Sequence, residues 1–219
     1  MKPSIRSFIL AIAAMPFFFP ALSAQDGGWK LKKTTDDIKV YYRKVDHSDI
    51  NELKIEAILD GSLSAVVSVL KDVPNYSHWI YKCSYAERLE PAQNTSSLYY
   101  CLIDFPWPMD DRDFIARSTL RQDPATKHIY IDVLGEPRRL KDKQGVVRIT
   151  EMNYHYELIP IANGKVKMLY QLHSDPGGTL PAWLVNLAID SGPVNTVRGM
   201  QEMLKQETYR KAQLAFIQN

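Results

Sequence analysis

The sequence lacks a charge bias, a catalytic signature and, past its first residues, any long apolar run. Its 27 basic and 25 acidic residues nearly cancel, leaving a formal charge of +2. That removes the electrostatic footprint of a nucleic-acid binder, so no nucleic acid is expected as a partner. There is no Gly-x-Ser-x-Gly elbow, no phosphate loop and no His-Glu-x-x-His pair. The five histidines, His47, His78, His128, His155 and His173, show no ligand spacing, so neither a metal nor a cofactor is expected. No repeat, low-complexity stretch or linker interrupts the chain. These absences point away from an enzyme.

The one strongly apolar stretch stands at the start. Lys2 and Arg6 precede an apolar segment over residues 8–19, and small residues follow at Ala21, Ser23 and Ala24. This is the order of a secretory signal peptide, and the apolar segment is too short to cross a bilayer. Residues 1–24 are therefore expected to be removed, with a periplasmic or secreted destination. Cutting 24 residues from 219 leaves 195, enough for one domain, 25–219, with a sizeable core.

Within that domain the period-2 signal of half-buried strands recurs. Ile38, Val40 and Tyr42 alternate with polar neighbours, as do Leu53, Ile55, Ala57 and Leu59. Ser62 opens a short helix whose apolar positions are Leu63, Val66, Val67 and Leu70, and Pro74 stops it. Residues 81–89 and 97–105 flank a turn-rich Pro91-Ala92-Gln93-Asn94 and read as a hairpin. A turn centred near residue 92 sets Cys83 opposite Cys101 and Tyr85 opposite Tyr99. The cysteines would then either form a cross-strand disulfide or remain buried thiols. Further alternation runs through residues 114–121, 129–133, 146–159 and 165–172. The last element is helical: Thr179 as N-cap, Pro181 in the first turn, and a stripe of Trp183, Leu184, Leu187, Ala188, Val194 and Val197, kinked or broken at Gly192-Pro193. The expected architecture is α+β: a curved antiparallel β-sheet, dry on one face, wrapped around a long C-terminal α-helix and leaving an internal hydrophobic cavity.

Two motifs carry a family resemblance. Pro106-Trp107-Pro108 followed by Arg112-Asp113-Phe114 is one, and Asp175-Pro176-Gly177-Gly178-Thr179-Leu180-Pro181-Ala182-Trp183-Leu184-Val185-Asn186 is the other. A weaker third is 69–74 with Trp79 after it. Over about residues 29–205 the chain resembles the START family, the steroidogenic-acute-regulatory-related lipid-transfer domains, and in its second motif the phosphatidylcholine-transfer-protein-like members. The resemblance implies a helix-grip fold, a hydrophobic tunnel, a lid that includes residues 134–145, and lipid transfer, presentation or sensing without a cofactor. Tyr99 and Ser118 stand where some sterol-binding members carry a buried acid and arginine, so their mechanism does not carry over.

The dry face is the expected ligand wall. Ile131 and Met152 offer apolar surface, and Tyr85, Tyr99, Ser118, Tyr154 and Tyr170 offer hydroxyls. Arg148 is the only formal charge in that phase of the middle strands, and Trp183 and Leu187 complete the wall from the helix. The tyrosines either hold a small polar head or a quaternary ammonium, or fill core with locally bonded hydroxyls. Arg112 and Asp113 are expected to be structural, and Trp107 a core aromatic or an interface anchor. The expected function is lipid binding and transfer by a monomer in transient contact with membranes. A polyketide-cyclase or hydrolase-like enzyme and a lipid-sensing module are the alternatives.

Overall fold

The alternating runs become strands of one sheet in the computed structural model, which describes residues 27–219. The expected signal peptide lies outside the described residues. The strands are β1 (Lys30–Thr35), β2 (Ile38–Val45), β3 (Ser48–Asp60), β4 (Cys83–Arg88), β5 (Ser96–Ile103), β6 (Asp111–Gln122), β7 (Ile129–Gly135), β8 (Val146–Arg148), β9 (Glu151–Ile161) and β10 (Lys165–Asp175). Their order across the sheet is β1-β2-β3-β10-β9-β7-β6-β5-β4, with β8 pairing with β6. All neighbours are antiparallel except β6 and β8. The α-helices among the described residues are α1 (Leu63–Lys71), α2 (Ala182–Ala188), α3 (Ser191–Lys205) and α4 (Glu207–Arg210).

Sequence and structure agree most closely where a strand has one dry face. Ile38, Val40, Leu53, Ile55, Leu59, Ile129, Leu158 and Met168 are all buried. Each such side chain contributes about 1.5–3 kcal/mol when removed from water. Ser62 caps α1 as expected, accepting from the Ala65 amide at 3.2 Å. A 3₁₀ segment, Val73–His78, then takes over at Pro74.

Three expectations fail locally: the hairpin register, the single run 146–159 and the wholly one-sided sheet. β1, which the alternation did not single out, pairs along the edge of β2. The hairpin register shifts because β4 bulges between Cys83 and Tyr85; Cys83 pairs with Ile103, and Ala86 with Cys101. Both cysteines are free and buried, so the cross-strand disulfide is not formed. The long run 146–159 is two strands, since Ile149 and Thr150 break it. Finally, the sheet has no clean wet face on β5 and β6. Leu98, Tyr100 and Ile115 form a second small core behind the first, with Leu89 and Leu102 packed against it.

The C-terminal helix is likewise divided. The break falls at Ile189 and Asp190, ahead of the Gly192-Pro193 pair. Pro193 then sits in the first turn of α3, where a missing amide hydrogen costs nothing. Val194, Val197, Met200, Met203 and Leu204 bury against the sheet and α1, whereas α2 has no buried residue.

Register places the site. The turn between β2 and β3, the ends of β5, β7 and β10 and the starts of β4, β6 and β9 all fall at one end of the sheet. The loops that leave that end form the mouth of the molecule.

Candidate functional site

Between the inner face of the sheet, the segment from Leu70 to Tyr81 and the start of α3 lies a cavity of about 240 Å³. Apolar side chains dominate its walls. β6 contributes Phe114, Ser118 and Leu120, β7 contributes Ile131 and Val133, and β9 contributes Met152, Tyr154 and Tyr156. β10 adds Tyr170, Leu172 and Ser174, and α3 closes one side with Gly192, Pro193 and Thr196.

Aromatic rings hold the wall in shape. Tyr156 and Tyr170 stack with centroids 4.1 Å apart, and Tyr154 meets Tyr170 edge-on at 5.7 Å. Tyr76 meets both Trp79 and Tyr99 edge-on at 5.4 Å. Such offset and edge contacts fix ring positions more firmly than burial alone. Burial pushes the phenols of Tyr76, Tyr99, Tyr154, Tyr156 and Tyr170 up, so each stays neutral and able to donate. Tyr76 donates to the Leu70 carbonyl at 2.5 Å and Tyr154 to Ser174 Oγ at 3.3 Å, and the Tyr156 and Tyr170 hydroxyls bond to each other.

Six of the ten expected ligand-wall residues meet here: Tyr99, Ser118, Ile131, Met152, Tyr154 and Tyr170. The other four do not. The bulge in β4 turns Tyr85 outward, where it is exposed and donates to Glu87 at 2.9 Å. The break after β8 moves Arg148 out of phase with the wall. It makes a bidentate ion pair with Asp113, Nε to Oδ1 at 2.5 Å and Nη2 to Oδ2 at 3.0 Å. Its Nη1 also donates to the carbonyls of Pro137 and Leu140. Trp183 and Leu187 are 69% and 70% exposed on α2. They project from α2, which has no buried residue, instead of lining a tunnel.

Arg148 thus pins the loop between β7 and β8 to the sheet, and Asp113 is structural through it. Arg112 is structural too, but in a different pairing from Asp113. It donates to the Asp110, Pro176 and Gly177 carbonyls and lies over the Phe105 ring at 4.3 Å. This ties the two family motifs together at the mouth. Gly178 permits the approach: its φ is +74°, and a Cβ there would sit 3.2 Å from Arg112 Nη2. The loop 134–145, expected as a lid, contributes no residue to the cavity wall.

Sequence reasoning missed the wall from the segment after α1. Tyr76, Trp79 and Ile80 line the cavity from a 3₁₀ turn and the irregular stretch after it, where neither strand nor helix periodicity applies. The weak resemblance at 69–74 with Trp79 was the signal available.

The mouth is unusually apolar. Trp107 is 92% exposed in the β5–β6 loop, and Trp183, Leu184 and Leu187 are exposed on α2. Trp107 is therefore not a core residue. Exposed aromatics at one end of a molecule mark an interaction surface.

A cavity gripped between a curved sheet and a C-terminal helix defines a helix-grip protein built to enclose a small ligand. The START domain profile matches residues 9–210, and the chain belongs to that family. It is 27% identical over 201 residues to an uncharacterized protein of Pseudomonas aeruginosa, covering 92% of this chain and 97% of that one. It is 26% identical over 188 residues to human phosphatidylcholine transfer protein, covering 83% and 85%. The crystal structure of a STAR-related lipid transfer protein fragment from Xanthomonas axonopodis matches it with a TM-score of 0.76 at 32% identity, over 82% of this chain and 99% of that one.

Proposed function

We propose that this chain binds one lipid in the cavity and exchanges it with membranes through the apolar mouth, as an exported carrier. The observation that carries the reading is the enclosed apolar wall set with neutral tyrosines. Hydrocarbon gains about 25 cal/mol per Å² when it leaves water for such a wall. Phenols of raised pKa offer hydrogen bonds without a charge that would have to be desolvated.

The relatives named for lipid or phosphatidylcholine transfer support a phospholipid-like cargo. The volume adds a condition. At about 240 Å³ the cavity is smaller than the roughly 300–1,000 Å³ of pockets that hold drug-sized ligands. Loading therefore requires the wall to move outward. The mouth side is the place for it, since α2 carries no buried residue. Trp107, Trp183 and Leu187 would sit at the bilayer interface while the cargo passes, as exposed Trp does at membrane surfaces.

A carrier reading is favoured over an enzyme by the wall's chemistry. Its titratable side chains are tyrosines and Lys71, and the Lys71 ammonium donates to the Gln93 carbonyl at 2.6 Å. Lining residues of that kind supply no general acid–base pair poised near neutrality.

The test is native mass spectrometry of protein purified from its own compartment, followed by organic extraction. One lipid at unit stoichiometry is expected, and Ser118→Trp should empty the cavity while leaving a folded protein. An empty protein that takes up nothing from mixed lipid vesicles overturns the carrier reading. Full loading of Ser118→Trp overturns the assignment of this cavity.

A further inference from the structure

Behind the cavity, on the outer face of the sheet at its mouth end, three side chains from distant parts of the chain converge. His47 stands in the turn between β2 and β3, Glu151 opens β9, and His173 lies near the end of β10. We infer that these three form a binding site for a divalent transition metal of the zinc class. Nothing in this inference depends on the lipid reading.

Strand alternation explains the placement. Met152 and Leu172 face the lipid cavity, so their neighbours Glu151 and His173 point through the other side of the sheet. Glu151 pairs with Asp175 across β9 and β10, and His173 with Asn153. The turn then folds His47 over them, with the two imidazole rings edge-on at 5.1 Å.

The donor geometry fits a small ion. His173 Nε2 lies 3.1 Å from Glu151 Oε1, and His47 Nε2 lies 3.8 Å from the same oxygen. The three potential donor atoms all fall within 4.8 Å of one another. Two ligands bound at about 2.0–2.1 Å to a tetrahedral ion stand about 3.3 Å apart. A small rotation of the exposed His47 therefore completes the set. The remaining coordination position faces the open concavity and is left to solvent.

The chemistry selects the metal class. Two imidazoles and one carboxylate suit zinc, cobalt, nickel or copper ions far better than calcium or magnesium, which favour all-oxygen shells. The one arginine in the concavity, Arg43, is neutralised by Glu52 at 2.6 Å and so does not oppose a cation. His173 is 6% exposed, and its Nδ1 has no hydrogen-bond partner. The nitrogen turned towards the cluster is Nε2, at 3.1 Å from Glu151. Its position does not rely on the metal, because β10 already holds it. The bound ion would clip the β2–β3 turn to the two central strands beside the mouth.

The experiment titrates tag-free, chelator-treated protein with Co²⁺, reading its visible absorption, and then displaces it with Zn²⁺. One equivalent is expected to bind, with the intense visible bands of low-coordinate cobalt. His47→Ala and Glu151→Gln, both at exposed positions, should each weaken binding at least about tenfold, the scale on which even supporting groups matter at such sites. His78→Ala, which removes an exposed histidine outside the cluster, should leave binding unchanged. Absence of saturable binding overturns the proposal, and so does wild-type affinity in either His47→Ala or Glu151→Gln. Lipid loading measured in parallel should not change in either variant.

Discussion

The two halves of the C-terminal helical segment carry similar apolar residues and do opposite things with them. α3 turns Val194, Val197, Met200, Met203 and Leu204 inward. It lies so close to the chain beneath that a Cβ on Gly199 would fall 2.2 Å from the Trp79 carbonyl oxygen. α2 leaves Trp183, Leu184 and Leu187 in solvent. It is held through polar groups at its edge, where Asn186 bonds the backbone at Asn51 and Asp49, each at 2.8 Å. Hydrophobicity alone therefore does not tell core from working surface. What separates them is their place on either side of the hinge, the two-residue break at Ile189 and Asp190: α3 buries its apolar stripe, whereas α2 follows β10 at the mouth end and buries none.

The largest expected effect comes from disturbing α3. Gly199→Ala drives a methyl group into the Trp79 backbone, and overpacking of this kind costs about 1–3 kcal/mol. Urea denaturation should show a lowered midpoint with an unchanged slope. A wild-type midpoint would mean that α3 can retreat from Trp79, and the contrast between the two helices would blur.

A smaller effect should come from the hinge. Asp190 is joined to Lys32 at 2.8 Å and to Lys33. Burial by itself would push its carboxyl up, but the two ammonium groups outweigh burial and hold it below the usual carboxylate range. The folded state thus favours the ionised form. Its contribution is present above the unfolded pKa and is lost as pH falls through the depressed folded value. Both lysines are partly exposed, so solvent screening limits the loss in Asp190→Asn to about 1 kcal/mol. Amide protection in α2, taken relative to the intrinsic exchange rate at each pH, should fall on acidification in the wild type, and be low already at neutral pH in the variant. Equal protection in both proteins at every pH would show that Asp190 does not secure the hinge.

The smallest stability effect belongs to α2 itself. Trp183→Ser combined with Leu187→Ser should change folding stability by less than about 0.5 kcal/mol, as surface changes do. The same variant should lose most of its co-sedimentation with phospholipid vesicles. A large drop in stability would place these residues in the core after all, and unchanged sedimentation would remove them from the docking surface.

Legibility in the sequence followed the regularity of the backbone. Strands such as β3 and β10 could be read residue by residue, because one buried face imposes a strict period of two. The wall positions Ser118, Ile131, Met152 and Tyr170 followed from the same rule. Errors gathered where that period slips. One extra residue in β4 sent Tyr85 out while keeping Cys83 in, and two residues between β8 and β9 took Arg148 to Asp113. Neither irregularity carries a glycine or proline to announce it. His47 and His173 are likewise far apart along the chain, and only the pairing of β3 with β10 brings their neighbourhoods together. Helical periodicity located α3 but could not say that the apolar stripe of α2 would stay unburied.

The sheet does not close on itself, and its two outer strands differ in a way that matters for the molecule's life among other chains. Any unpaired strand is an invitation to a strand from elsewhere, and a protein that already leaves tryptophans uncovered can ill tolerate a second adhesive surface. β1 answers with lysine, at Lys30, Lys32 and Lys33 along six residues. β4 answers with brevity and a bulge, so that no straight ladder is on offer. Both edges are thus blunted against a further strand, while the tryptophans of the mouth stay uncovered.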